Sequence, residues 1–385
     1  MDGWMVSCLS LILFVVVGAS PLSADETGMF GVLQLPPRDG NPRNSEGDFV
    51  TLRDGRILFV YTHFTGGAGD DASAYLAGRL SDGEGRTWSE EDQVVLPQEG
   101  TQNVMSVSLL RLQDGRVALF YLRKNSRTDC RPYLRFSNDE TRTWSDPIAC
   151  ISEEDGGYYV LNNDRAVQLT SGRIILPVAH HNAPDWKKWT PYGVALCYLS
   201  DDAGKTWRRS ASELDGRQPD GPRVMLQEPG VVELKDGRLI MFCRTQSGCQ
   251  YLSFSDDGGD HWSSVESSKI LSPQSPASIE RIPTTGDLLL VWNNHENIAP
   301  SLKGKRTPLA TAVSRDEGRT WENVKTIEDN PHGCYCYTAI HFVGDHVLLG
   351  YCAGDQRENN GLALTQITRL PITWLYKMGQ SAGAR

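Results

Sequence analysis

Short apolar runs broken by one recurring polar turn set the pattern of this chain. The turn is clearest at Leu52-Arg53-Asp54-Gly55-Arg56-Ile57 and recurs at Leu112–Val117, Leu169–Ile174 and Leu234–Leu239. Looser copies stand at Ile282–Leu288 and Phe342–Val347. Each copy is flanked by apolar runs of strand length, and Asp-Gly between two such runs predicts a β-hairpin. No stretch reads as a long helix. The expected class is all-β.

A second repeat lies between the hairpins. Ser200-Asp201-Asp202-Ala203-Gly204-Lys205-Thr206-Trp207 reads S-x-D-x-G-x-T-W, and Ser314–Trp321 matches it completely. Ser81–Trp88 has Gly83 for Asp, Ser137–Trp144 has Thr141 for Gly, and Ser255–Trp262 has His261 for Thr. The five copies start 55 to 63 residues apart, a period that marks a repeat architecture. Ser and Asp oxygens can accept backbone N–H groups a few residues on and close a turn. Gly204 and Gly318 supply a positive φ, and the Trp is an apolar plate to bury on a neighbouring sheet.

These segments are similar to the Asp-box (BNR) repeat, and the chain resembles the sialidase superfamily of β-propellers over nearly all of its length. The repeat order is hairpin, strand, box, strand. It implies a six-bladed β-propeller of about four strands per blade, within the usual range. The sixth blade has no box. It is expected at Tyr335–Phe342, His346–Tyr351 and Gly361–Ile367, closed by the N-terminal run Phe30–Leu35 so that no sheet edge is left open. The propeller is expected over residues 25–376, with a tail at 377–385 and no second domain.

The apolar run Leu9–Val17, followed by small residues, reads as a secretory signal peptide over residues 1–24, cleaved after Ala19 or Ala24. The run is too short for a comfortable membrane span. The expected location is therefore secreted or periplasmic, without stable membrane insertion. The chain carries 48 acidic against 38 basic residues, a net charge of −10, which argues against a nucleic-acid partner. Without Cys8, eight cysteines remain. An even count in an exported chain permits disulfides, and Cys243 with Cys249 could bridge a hairpin; buried free thiols are the equal alternative. Cys334-x-Cys336 has no matching Cys/His set at zinc spacing, so neither metal nor cofactor is expected. Nothing in the sequence sets the oligomeric state.

In a propeller the first strand of each blade lines the axis, so the residues just before each hairpin should carry the chemistry. They are polar: Arg43–Asp48, Asn103–Ser108, Asn162–Arg165, Gln227-Glu228, Ser275–Ser278 and Cys334–Thr338. Glu228 and Arg244 stand at opposite ends of one hairpin, which brings them to the same end of a blade. Cys243 and Arg244 point to opposite faces because strand side chains alternate. The resemblance implies roles. Glu228 is the base, and Tyr337, followed by Thr338 where the family has Ser, is the nucleophile. Tyr335 is the fallback on the same strand face. Arg306, eight residues before the Ser314 box, and Arg244 would clamp a substrate carboxylate. Arg43 is the choice for the third clamp Arg, although the family places that residue nearer Ser45 and Glu46. Asp71 is the expected acid/base, with Asp70 as its neighbour. Arg281-Ile-Pro283 mimics the family's N-terminal motif but sits at a hairpin. His63, His180 and His181 are possible further lining.

Sialic acid carries a carboxylate on its anomeric carbon. Arginines meet a carboxylate with planar, charge-assisted hydrogen bonds. A carboxylate nucleophile would be repelled there. Tyrosine is neutral until Glu228 draws off its proton, which makes sialidases an exception to the two-carboxylate rule. The expected activity is that of an exo-α-sialidase on sialylated glycans, with retention of configuration. The alternatives are a glycosidase for another acidic sugar and a non-catalytic glycan-binding propeller.

Overall fold

The computed structural model describes Met1 and residues 30–183, 188–218 and 221–377. The leader expected over residues 1–24 lies outside them apart from Met1, and so does the tail from residue 378 onward. The described residues are all-β, with one five-residue helix at Ile372–Tyr376. None of their helices is long and apolar enough to cross a membrane.

The hairpins form as the turn pattern predicts. Leu52 N–H donates to the Arg56 carbonyl at 2.7 Å and Gly55 N–H to the Leu52 carbonyl at 3.0 Å, and the same pair recurs at Leu112, Leu169 and Leu234. Gly55 has φ +87°, which a side chain would resist.

The boxes close on their own hydroxyls and carboxylates. Ser200 Oγ accepts from Gly204 N–H (2.8 Å) and donates to Asp202 (2.9 Å), which takes both the N–H and the hydroxyl of Thr206. The Trp207 indole N–H donates to the Gly204 carbonyl at 3.1 Å. A Cβ on Gly204 would lie 2.7 Å from Leu134, so this box is pressed onto a strand of the preceding repeat. Imperfect copies use substitutes: the His261 ring stands in for Thr on Asp257 (2.7 Å), and Thr141 takes the positive φ, +68°.

Four antiparallel sheets have four strands each, starting at Arg43, Gln227, Ser278 and Gly333. The last contains Phe30–Leu35, paired with Thr365–Pro371, so the first and last described strands share one sheet, as expected. Its third strand starts later than the expected Gly361, because Asn360–Ala363 is a turn closed by Ala363 N–H to the Asn360 carbonyl at 2.6 Å.

The repeats between Asn103 and Arg209 do not form two separate sheets. They join into one nine-stranded sheet through a single parallel bridge, Tyr158 to Cys130. The inner strand of the second of these repeats is interrupted. Tyr158–Val160 and Val167–Gln168 each pair with Ile174–Asn182, and the segment between them leaves the sheet. It bonds instead to the segments that carry Gly47, Val107, Ala277 and Tyr337. Asn163 Nδ2 donates to the Gly47 and Tyr337 carbonyls (2.9 and 3.0 Å), Asp164 accepts from Ile340 N–H (3.0 Å), and Arg165 donates to the Ala277 carbonyl (2.6 Å). These buried polar groups are costly unless partnered, and their partners lie on different sheets, so they tie the molecule across its middle.

The core lies between neighbouring sheets; one cluster joins Leu58 and Val60 to Val107 and Leu119. All eight described cysteines are buried free thiols. Cys243 faces Tyr251 and Cys249 faces Leu271 across their strands, so the bridge that the sequence permits between them is not formed.

Candidate active site

Four inner strands carry the same irregularity. Register shifts fall at Ser45/Asp48, Met105/Ser108, Gln227/Gly230 and Cys336/Ala339. Inside them Glu46, Ser106, Glu228 and Tyr337 have φ of 57°, 58°, 47° and 57°. A bulge re-aims one side chain out of the pleat. A left-handed non-glycine residue costs about 1–3 kcal/mol and concentrates at functional sites.

Two of these residues meet. The Tyr337 hydroxyl donates to Glu228 Oε1 at 3.3 Å. Arg244 Nη1 donates to the same oxygen at 2.5 Å; the register that pairs Gln227 with Arg244 brings it there. The Arg306 guanidinium lies 5.3 Å from the centroid of the Tyr337 ring and donates to Cys336 Sγ at 3.0 Å. Burial raises the Tyr337 pKa and Glu228 adds to it, against Arg306 and Arg244. The phenol is therefore neutral at rest. Among the described residues, buried Glu228 Oε2 and Arg244 Nε have no hydrogen-bond partner. Four of the six expected site residues, Tyr337, Glu228, Arg244 and Arg306, thus form one cluster.

Tyr335 does not share that cluster. Simple alternation puts it on the same face as Tyr337, but the bulge breaks the alternation. Tyr335 packs into the core, edge-on to Tyr351 at 6.4 Å.

Arg43 is placed differently from a free clamp. Its Nε donates to Ser45 Oγ (2.9 Å), Nη1 to the Ala68 carbonyl and Asp70 Oδ1 (3.2 and 2.5 Å), and Nη2 to Glu46 Oε1 (2.9 Å). Four of the five N–H donors of a guanidinium are committed. Burial works against its charge, but Glu46 and Asp70 outweigh that and raise its pKa. Glu46 also accepts from Ser106 Oγ at 2.8 Å. Burial pushes Glu46 up to about 7, against the pull of Arg43; Glu228 is among the charges that repel it.

Asp71 turns away from Arg43. Lys124 Nζ lies 2.5 Å from its Oδ1 and Arg127 Nη2 3.3 Å from its Oδ2. The Lys124 hydrogen bond holds its carboxyl below the usual range. Asp70, on the same loop, is the carboxylate that reaches Arg43.

Of the histidines, His63 stacks on Tyr75 at 4.5 Å and pairs with Asp92 at 3.1 Å, and His180 stacks on Tyr159 at 4.0 Å. His181 lies within the electrostatic reach of Glu228 and Arg244, and burial lowers its pKa. Arg281 is at the hairpin end, paired with Glu317 at 2.8 Å.

Glu46 and Ser106, to which the sequence motifs assign no role, belong to the same network. A signal for both was present: Glu46, Ser106 and Glu228 each stand nine residues before a hairpin glycine, Gly55, Gly115 and Gly237.

The sequence profile of the BNR repeat-like domain family matches residues 64–349. The fold matches a Dyadobacter fermentans protein of unknown function at TM-score 0.67 and 17% identity, over 89% of this chain and 99% of that one. It matches the NanB sialidase of Streptococcus pneumoniae at TM-score 0.67 and 16% identity, over 89% and 70%. A Trypanosoma rangeli sialidase matches at TM-score 0.68 and 14% identity, over 92% of this chain and 61% of that one.

Proposed function

We propose, for a chain that belongs to the BNR repeat-like domain family and shares its fold with solved sialidases, that it is an exported retaining exo-α-sialidase, a six-bladed propeller over residues 25–376. The observation that carries this reading is the Tyr337 hydroxyl on Glu228 beneath two arginines. Arg244 and Arg306 receive the substrate carboxylate. Glu228 takes the phenolic proton as the Tyr337 oxygen forms its bond to the anomeric carbon and the glycosidic bond breaks. Water then displaces Tyr337 with retention. The T. rangeli sialidase of the same fold is described as a covalent intermediate with 2,3-difluorosialic acid, which supports the covalent step.

The leaving oxygen needs a proton. Asp71 is engaged by Lys124 and Arg127. In this reading the Asp70-Asp71 loop supplies the proton and returns as the base for water, the donor being whichever carboxyl the bound substrate releases from its ion pair, Asp71 from Lys124 or Asp70 from Arg43.

One observation favours a second reading. With Arg43 committed to Glu46, Asp70, Ser45 and Ala68, only two arginines are left for the carboxylate. A two-arginine grip also suits a uronic acid, whose carboxylate sits on a different carbon. Turnover of an α-sialoside and of uronic-acid glycosides by the parent protein and by Tyr337→Phe separates the two. Hydrolysis of the sialoside alone, lost in the variant, supports the first reading. Hydrolysis of uronides alone transfers the site to the second. Turnover of neither leaves a glycan-binding propeller.

A further inference from the structure

Three thiols gather beside the strand face that carries the site. Cys334, Cys336 and Cys352 form a buried cluster of their own, with Tyr337 and Leu362 packed against it. Cys334 and Cys336 flank Tyr335, which packs into the core on the other face. Cys352 lies directly across from Cys336 on the neighbouring strand, in the last regular pair before the bulge. Among the described residues this is the only cysteine pair opposed across two strands. Opposed residues of an antiparallel pair have Cα atoms about 4.5–5.5 Å apart, inside the span of about 4.4–6.8 Å that a disulfide bridges. Residues two apart on one strand lie about 6.4–6.8 Å apart, at the far end of that span. Geometry therefore makes Cys352, rather than Cys334, the partner of Cys336.

The two opposed thiols are unequal. Cys336 Sγ accepts from Arg306 Nη1 at 3.0 Å. Burial opposes a charge on Cys336, but hydrogen bonds from the Cys334 and Cys352 thiols and the Arg306 guanidinium outweigh it and hold Cys336 well below the usual thiol range. The hydrogen bond to Cys336, with burial, pushes Cys352 up. One member of the pair is thus a thiolate, the nucleophilic form, and the other keeps its proton. Arg306 meanwhile donates to a sulfur of its own protein, so a substrate carboxylate has to compete with that sulfur for the guanidinium.

We propose that Cys336 and Cys352 form an oxidation site, at which hydrogen peroxide converts the pair to a disulfide and releases Arg306 to the substrate carboxylate. The Cys336 sulfur attacks one peroxide oxygen; the O–O bond breaks, and the departing hydroxide takes a proton from solvent to become water. The Cys352 thiol then attacks the sulfenic sulfur; the S–S bond forms, the S–O bond breaks, and the second hydroxide leaves with the Cys352 proton as water. The two sulfurs lose the two electrons that reduce the peroxide. Cys336 and Cys352 are each 1% exposed, which suits an oxidant about the size of water and shuts out bulky thiol reagents. A disulfide carries no charge. Arg306 therefore loses its anionic acceptor, and the site loses a negative charge that opposes an anionic substrate. The release of Arg306 rests on the reading of that residue as a carboxylate clamp; the disulfide does not.

The test treats the parent protein, Cys352→Ser and Cys334→Ser with hydrogen peroxide and caps the remaining thiols under denaturing conditions. Digestion before Asp329, Asp345 and Asp355 then puts Cys336 and Cys352 on separate peptides. The expected result is a covalent link between those two peptides in the parent and in Cys334→Ser, absent from Cys352→Ser. The KM of the treated parent for an α-sialoside should fall about tenfold, the size of one hydrogen bond to a charged group. Cys352→Ser, whose Cys336 stops at an oxyacid that still carries acceptor oxygens, should show no such fall. A parent that forms no link, or a link that disappears in Cys334→Ser, overturns the oxidation site. A link with an unchanged or raised KM overturns the release of Arg306. If the parent turns over no α-sialoside, the failure belongs to the sialidase reading, and the peptide link alone decides the oxidation site.

Discussion

Replacing Trp262 by Ala should cost about 4 kcal/mol of stability without touching the chemistry. Trp262 is 8% exposed and packs into the cluster of Leu239, Met241, Ala195 and Cys197. Its indole N–H donates to the Gly259 carbonyl at 2.9 Å. An indole buries on the order of 200 Å²; at about 25 cal/mol per Å² that is about 4–5 kcal/mol, of which the methyl of Ala keeps a small part. The hydrogen bond contributes about 1 kcal/mol net. Apolar burial therefore dominates, and Trp262→Phe, which keeps most of the plate and loses the N–H, should cost only about 1–2 kcal/mol. Urea unfolding of the three proteins gives both values, and activity per folded molecule should be unchanged. If Phe were as costly as Ala, the hydrogen bond rather than the plate would hold the box. A loss under about 1 kcal/mol for Ala would refute the placement of the box tryptophan between repeats.

Arg306→Ala should weaken substrate binding by roughly 2–5 kcal/mol, read as KM, and leave stability near the parent's. Arg43→Ala should instead lower the unfolding temperature, because it strips Glu46 and Asp70 of their common partner. Stability should also depend on pH through buried carboxylates. Glu46 and Asp164 are pushed up mainly by burial, to about 7 and about 6. Both bind protons more tightly folded than unfolded, so their contribution is full below about pH 4 and is lost as pH rises toward 7. Thermal melts across that window should show the decline, and Glu46→Gln should flatten its upper part; a decline unchanged in the variant would remove Glu46 from the account.

Much of this was legible in the sequence because its determinants are local. A hairpin at Leu52–Ile57 needs only its own Asp-Gly, and a box at Ser200–Trp207 needs only its own hydroxyls, carboxylate and glycine. Glu228 and Arg244 were legible because one hairpin fixes both. What the sequence concealed depends on distant partners. Alternation makes Tyr335 and Tyr337 equivalent, and only the bulge, with its left-handed Tyr337, sends one to the core and the other to the site. Nothing within Asp70-Asp71 says which carboxylate meets Arg43, because the choice is made by Lys124 on another strand. Arg43 itself reads as a clamp until the loop carrying Ala68 and Asp70 closes over it. The join between Tyr158 and Cys130 likewise follows from a segment drawn out of its sheet by carbonyls more than 100 residues away in sequence, Gly47, Tyr337 and Ala277.

The central claim is that Tyr337 attacks the anomeric carbon with Glu228 as its base. A fluorinated sialic acid with a good leaving group, incubated with the parent protein and followed by peptide mass spectrometry, tests it most directly. The account predicts one added sialyl group, on Tyr337, formed slowly or not at all in Glu228→Gln. A label on any other residue, or full turnover of an α-sialoside by Tyr337→Phe with no label in the parent, would contradict it.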